Sequence, residues 1–334
     1  MTQPEVKHPL FIGIDVGGTN VKFGIVDDKG GIQAYGSIPT ESHLGPDDAV
    51  QRVSAALFQQ LQNLGAGTSD VARIGLATPG PLDLEQGILL TPGNLPEWHN
   101  FPIRQRISDA IGLPVRYAND ANAAAFGEYW QGAGTAYPSM VLLTLGTGIG
   151  GGIIVGDMLL EGAHGNGGEC GHILIDLQDD APLDSLNKRG SLEAFCGSYG
   201  VVRRAQEGLR DGRHSRLSKE DSLTPLALTQ AAEAGDAFAL EIIMETARYL
   251  ALGLVNLIHT IDPGCVVLGG AMTFGGAGHP LGEAFLQKIR DELRPRLLPN
   301  LHDTLQIDFA QLGGDAGYMG AAGLARVEHH DLLK

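Results

Sequence analysis

Asp120 sits between two amides in Asn119-Asp120-Ala121-Asn122, directly after an apolar, strand-like run, Val115-Arg116-Tyr117-Ala118. A carboxylate at a strand end can accept the proton of an alcohol as that alcohol attacks phosphorus, provided other groups hold the phosphate charge. Two glycine-rich turns offer such groups. In Asp15-Val16-Gly17-Gly18-Thr19-Asn20 the absence of Cβ at Gly17 and Gly18 lets backbone N–H groups approach a polyanion, and Thr19 adds a hydroxyl. Lys22 offers a compensating charge. Asp15 repels phosphate unless a cation stands between them, so it reads as an anchor for Mg²⁺ or its water. The chemistry implied is phosphoryl transfer onto a small polar substrate, with Asp120 as base.

The second turn, Leu145-Gly146-Thr147-Gly148-Ile149-Gly150, echoes the first: Ile12–Ile25 and Leu142–Val155 both read strand, Gly/Thr turn, strand. A third segment, Val266-Val267-Leu268-Gly269-Gly270-Ala271, also ends an apolar run, and its late position suits the nucleoside end of a nucleotide. The first turn is not a P-loop, which ends in Gly-Lys-Ser/Thr and leads into a helix, whereas Val21–Val26 reads as a second strand. Glycine is common here, 48 of 334 residues, so the order and strand context of the turns carry the argument. Glu169-Cys170-Gly171-His172 and Leu192-Glu193 add acceptors and donors of the kind that orient a substrate with several hydroxyls. Asp120 also suits a helix N-cap, a role compatible with catalysis. His172 has a competing reading as a metal ligand, but no cysteines lie nearby at ligand spacing.

These residues need a scaffold of strands and crossover helices. The pattern predicts a strand over Gly31–Pro39, a helix over Pro46–Leu64 and a buried strand at Ile74–Thr78 running into Pro79-Gly80-Pro81. A loop holding Thr91, Asn94 and Trp98 follows. Pro102 opens a helix that Gly112 ends, and Asp120 opens another over Ala121–Trp130. Strands flank the second turn from Ser139 to Leu160, helices dominate Ser191–His259, and a last helix covers Asp315–Val327. Strand clusters followed by crossover helices, given twice, imply two α/β domains with a cleft between them. The expected division is residues 8–118 and 119–314, with the helix at 315–327 packing back on the first domain.

The formal charge of −16 and a pI near 5.0 argue against nucleic-acid or anionic-membrane binding, because no basic field is present. Arg203, Arg204, Arg210 and Arg213 alternate with Glu207 and Asp211 and read as a solvated helical face. Cys170, Cys196 and Cys265 suggest neither a disulfide framework nor a zinc ribbon, and reduced thiols of a cytoplasmic protein fit. Met1–His8 lacks a signal pattern. The apolar stretch Ala237–Ile258 holds Glu241, Glu245 and Arg248, which makes it a helix with a buried face rather than a membrane span.

Taken in order, DVGGTN, TPGNLPEW, NDANAAAFGE, LGTGIGGG, GECGH and DPGCVVLGGAM resemble the ROK family of sugar kinases and repressors, most of all its glucokinases. The resemblance spans Phe11 to about Leu324. It implies an actin-like, ribonuclease-H-type ATPase fold of two α/β domains that close over sugar and ATP, with Mg²⁺ as cofactor, and often a homodimer. By similarity Asp120 is the catalytic base. Gly80, Asn94, Asn119, Glu169, His172 and Glu193 match the sugar-holding positions, and Asp15, Gly17, Gly18, Thr19, Gly146, Thr147 and Gly148 match the phosphate loops.

Two departures qualify the resemblance. Many members carry a zinc-binding CxCGxxGC run whose fourth ligand is the histidine of the GH pair. Here Asp184, Leu186 and Ser191 stand where cysteines would be, so no structural zinc is expected, the loop orienting Glu193 must be held otherwise, and His172 is left free for the sugar. Repressor members carry a helix-turn-helix extension, which the residues before Phe11 do not supply. The implied activity is phosphorylation of glucose at its 6-hydroxyl. Another hexose or N-acetylhexosamine (N-acetylmannosamine, N-acetylglucosamine, mannose, fructose), polyphosphate as donor, and a sugar sensor without catalysis remain as alternatives.

Overall fold

The computed structural model describes residues 9–220 and 222–334, so the polar Met1–His8 segment lies outside the described residues. The chain opens with three strands, β1 (Leu10–Val16), β2 (Asn20–Asp27) and β3 (Ile32–Pro39), then α1 (Pro46–Asn63), β4 (Val71–Thr78) and a small hairpin, β5 (Leu82–Asp83) with β6 (Ile88–Leu89). Next come α2 (Ile103–Ile111), β7 (Val115–Asn119) and α3 (Asp120–Gln131). The pattern restarts with β8 (Ser139–Leu145), β9 (Ile149–Val155) and β10 (Met158–Leu159). Four helices follow: α4 (Leu192–Cys196), α5 (Ser198–Arg210), α6 (Pro225–Glu233) and α7 (Ala237–Ile261). The chain closes with β11 (Cys265–Gly269), α8 (Pro280–Leu293), β12 (Gln306–Phe309) and α9 (Ala316–Asp331).

The two glycine turns are the loops of equivalent hairpins. One sheet runs β3-β2-β1-β4-β7 and the other β10-β9-β8-β11-β12. In each, the first hairpin is antiparallel, and the next two strands are parallel to its first member. Parallel strands require crossovers, here α1 and α2 in one half and the helices before β11 and β12 in the other. Central strands such as β1 and β11 are buried on both faces, as their continuous apolar runs demand.

Two compact units result: residues up to Thr135 with Leu159–Gly167 and Gln311–Lys334, and Ala136–Met158 with Gly168–Ala310. The change of unit falls after α3, whereas the sequence pattern placed a boundary after residue 118. The reason is close packing of α3 on α9: a Cβ on Gly320 would lie 1.6 Å from the Ala123 carbonyl oxygen, and one on Gly127 would lie 2.3 Å from that of Ala316. The same helix α9 presses on the first sheet, where a Cβ on Gly13 would meet the Tyr318 carbonyl oxygen at 1.8 Å.

Of the basic stretch Arg203, Arg204, Arg210 and Arg213, Arg210 and Arg213 are exposed as a solvated face requires, but Arg204 is not. Arg204 is buried and donates to the carbonyl oxygens of Phe195 and Ile242, to Thr246 Oγ1 and to Glu245, so it ties α5 and α4 to α7. Sequence periodicity misplaced it because α7 covers that side of α5, a fact of tertiary packing. Among the described residues no helix is long and apolar enough to cross a membrane, and all three cysteines are free and buried.

Candidate active site

In the first unit, β7 ends at Asn119 and α3 begins at Asp120. The N-cap is Asn119 rather than Asp120: its Oδ1 accepts the N–H groups of Ala121 at 2.9 Å and Asn122 at 3.2 Å. Asp120 stands one residue further in, its Oδ1 accepting the Ala121 N–H at 2.8 Å. Capping by the neighbour leaves the Asp120 carboxylate available for other work. Burial pushes its carboxyl above the usual range, and hydrogen bonds from Ala121 N–H, its own N–H and the Asn119 side chain offset this only in part.

Asp15, at the end of β1, feels Asp120. Burial first, then the Asp120 charge, raise the Asp15 carboxyl, while Lys22 pulls it back, and the net value is about 7. A buried carboxylate whose proton affinity is raised further by a neighbouring carboxylate forms an arrangement that a cation would relieve. The donors are oxygens, which suits Mg²⁺, an ion held by one or two carboxylates together with substrate phosphates. Among the described residues no cluster of three or more His, Cys, Asp or Glu side chains could hold a metal ion.

The first glycine turn is propped by Thr40, which local pattern did not single out. Its Oγ1 donates to the Gly17 carbonyl at 2.6 Å and its N–H to that of Thr19 at 2.8 Å, while Gly17 N–H donates to Asn20 at 2.9 Å. Asn94 packs on the same turn, because a Cβ on Gly18 would lie 3.1 Å from its carbonyl oxygen. Gly80, just past β4, sits beside Asn119, with a hypothetical Cβ 3.7 Å from Nδ2. Lys22 Nζ donates to the Gly314 carbonyl at 2.7 Å, which anchors its ammonium near the start of α9.

The second unit holds the remaining candidates. Gly146 N–H donates to the Gly148 carbonyl at 3.0 Å, and Ser198 N–H, opening α5, donates to the carbonyls of Gly146 and Thr147 at 2.9 and 3.1 Å. Gly269 ends β11, and Gly270 (φ 90°) folds so tightly over β8 that a Cβ would lie 2.3 Å from the Leu145 carbonyl oxygen. The second and third glycine segments are therefore neighbours at the carboxyl ends of the paired strands β8 and β11.

Glu193, in the first turn of α4, is buried and well satisfied. Oε2 accepts Ile149 N–H at 3.0 Å, and Oε1 accepts Ser185 Oγ–H at 2.5 Å, Ser185 N–H at 3.3 Å and Tyr199 O–H at 3.0 Å. Ser185 and Tyr199 carry no sequence signal that links them to Glu193. His172 is not free: Nδ1 lies 3.0 Å from Asp184 Oδ2, and only Nε2, 3.9 Å from the carboxylate of exposed Glu169, points elsewhere. The expectation of an unengaged histidine missed this because Asp184 reaches it through a loop fold that spacing does not encode.

The model of the ROK family matches residues 11–328. The chain belongs to the ROK family. It is 34% identical over 328 residues to a glucokinase from Halalkalibacterium halodurans, covering 97% of each chain. It is similar to the crystal structure of a ROK hexokinase from Thermus thermophilus (TM-score 0.83, 32% identity, 96% of this chain and 99% of that one). It is also similar to a ROK family glucokinase from Streptomyces griseus crystallised with glucose and AMPPNP (TM-score 0.73, 32% identity, 95% and 99%). The fold is thus the actin-like, ribonuclease-H-type α/β fold expected from the motifs. Zinc does not fit this ROK chain at Asp184, Leu186 and Ser191, the positions where the resemblance leads one to expect cysteines. Leu186 has no ligand atom, and the Asp184 carboxylate is taken up by hydrogen bonds from His172, Ser191, Leu186 N–H and Lys188 N–H.

Proposed function

We propose that this chain is an ATP-dependent hexose kinase that transfers the γ-phosphoryl group of ATP to the 6-hydroxyl of glucose. The observation that carries the reading is Asp120: a carboxyl of raised proton affinity at the end of a β-strand, uncommitted to capping, and electrostatically coupled to Asp15 beside the first glycine turn. Glucokinase relatives and a neighbour holding glucose and AMPPNP, an ATP analogue, support it.

In the step proposed, the sugar oxygen bonds to γ-phosphorus, the bond from that phosphorus to the bridging oxygen breaks, ADP leaves, and Asp120 receives the hydroxyl proton. Gly80, Asn94, Asn119, Glu169, His172 and Glu193 are proposed to hold the sugar. Backbone amides at Gly17, Gly18, Thr19 and Asn20 and at Gly146, Thr147 and Gly148 are proposed to meet the phosphates, with Gly269 and Gly270 at the nucleoside. Asp15 would hold Mg²⁺, whose chemistry is to neutralise charge on the transferring phosphate. We place the enzyme in the cytoplasm as a homodimer, without nucleic-acid or membrane partners.

The test is coupled ADP detection over a panel of glucose, mannose, fructose and N-acetylhexosamines, with ATP or polyphosphate and Mg²⁺. Glucose with ATP is expected to give the highest kcat/KM, and Asp120→Asn to lower kcat by about 10²- to 10⁴-fold. A folded Asp120→Asn variant with near-wild-type turnover would remove Asp120 as the base, and sugar binding without ADP release would favour a sensor.

A further inference from the structure

The carboxylate of Asp184 is fully enclosed and carries four hydrogen bonds. Oδ1 accepts the N–H groups of Leu186 at 2.9 Å and Lys188 at 2.8 Å, closing a turn that Asp184 N–H and the Lys188 carbonyl also span at 2.8 Å. Oδ2 accepts from His172 Nδ1 at 3.0 Å and Ser191 Oγ at 2.9 Å. Burial opposes ionisation of this carboxyl, but the bonds from Lys188, His172, Ser191 and Leu186 outweigh it and hold it below the usual range.

The two side-chain donors lead to two candidate sugar ligands. His172 is one of them. Ser191 is the N-cap of α4, accepting Ala194 N–H at 3.3 Å, and α4 carries Glu193 in its first turn. Ser185, next to Asp184, donates directly to Glu193. An ionised carboxylate has lone pairs for four donors and no hydrogen of its own, a match that an asparagine, with two acceptor sites and two N–H bonds, cannot make. Because Oδ2 only accepts, the proton of a neutral His172 sits on Nδ1, and Nε2 is left as an acceptor for a hydroxyl.

We propose that Asp184 is a positioning residue for sugar binding, fixing the tautomer of His172 and the turn that carries Glu193 without a metal ion. This rests on the reading of His172 and Glu193 as sugar ligands. Asp184 itself touches no reacting atom; it acts through the two residues it holds.

The first test uses the unmodified protein. In ¹⁵N-histidine-labelled enzyme, with His172→Gln identifying the resonance, His172 is expected to be protonated at Nδ1 and bare at Nε2. The opposite tautomer overturns the proposal. The second compares Asp184→Asn and the milder Ser191→Ala with wild type. The expected result for Asp184→Asn is a rise in sugar KM of roughly 10- to 100-fold, the range seen when a ligand's supporting partner is lost, with the ATP KM within about twofold. Ser191→Ala is expected to raise the same KM by a smaller factor. A merely structural role predicts a lower Tm with unchanged sugar KM and unchanged His172 signals, and that result also overturns the proposal. So does a rise in sugar KM on treating wild type with a zinc-selective chelator. Absence of turnover by wild type on every hexose would instead end the kinase reading, and the His172 tautomer would still decide the role of Asp184.

Discussion

Oε2 of Glu193 lies 3.0 Å from the backbone nitrogen of Ile149, so a candidate sugar ligand is bonded directly to the candidate phosphate turn between β8 and β9. The glycine before Ile149 makes the approach possible, since a Cβ on Gly148 would stand 2.1 Å from that oxygen. Hydrogen bonds to a carboxylate are stronger than neutral ones, and here three further donors fix its orientation. Within this unit, the glycine turn between β8 and β9 and the segment carrying Glu193 share one anchor.

Gly148→Ala should therefore disturb both substrates at once. The methyl group forces the Glu193 carboxylate away from Ile149, and steady-state kinetics are expected to show the KM for sugar and the KM for ATP each raised by about tenfold, the equivalent of one hydrogen bond to a charged group. A change in ATP KM alone would mean that the contact does not join the two sites.

Asp15→Asn should separate stability from activity. Folding raises the Asp15 carboxyl from 3.8 to about 7 through burial and the Asp120 charge, despite Lys22. A carboxyl raised by folding favours the folded state below pH 3.8, and that contribution is lost as pH climbs through about 7. Asparagine carries no charge at any pH. The variant is thus expected to match wild type in Tm at pH 4, to exceed it increasingly toward pH 7, and to hold a constant advantage above, while Mg²⁺-dependent turnover collapses. Thermal unfolding across pH 4 to 9 checks the sign, and a Tm gain confined to acid pH would contradict it.

Two glycines should respond in opposite ways to the same methyl group. Gly13→Ala sets a Cβ against the Tyr318 carbonyl of α9, a backbone atom that cannot rotate away, and overpacking of this kind costs about 1–3 kcal/mol or more. Gly146→Ala meets nothing within 4 Å, so denaturant unfolding should barely change, yet its Cβ stands where phosphate is proposed to approach. The expected outcome is lower stability with near-normal ATP KM for the first, and normal stability with a raised ATP KM for the second.

Much of this architecture was legible from residue pattern. The repeated strand, Gly/Thr turn, strand signature corresponds to two sheets of identical strand order, because alternation and β-branching report which segments pair locally. Pro102 and Gly112 bracket α2, with Gly112 in the left-handed conformation at φ 81°. Other features were hidden. Arg204 has the neighbours of a surface residue in sequence and the neighbours of a core residue in space. Asp120 and Asn119 are equally good caps by type, and only the backbone geometry at the end of β7 assigns the task to Asn119.

The sequence by itself determined the family, the doubled α/β plan and the acidic and glycine-rich residues available for phosphoryl chemistry, since these depend on residue type, order and short-range period. Tertiary structure alone decided which donors surround each of those residues. It set Asp120 against Asp15, Glu193 against Ile149 and Ser185, and Asp184 against His172 and Ser191. The physical reason is that a charge is tuned by whatever lies within a few ångströms of it, and between residues far apart along the chain that distance is fixed only when the chain has folded.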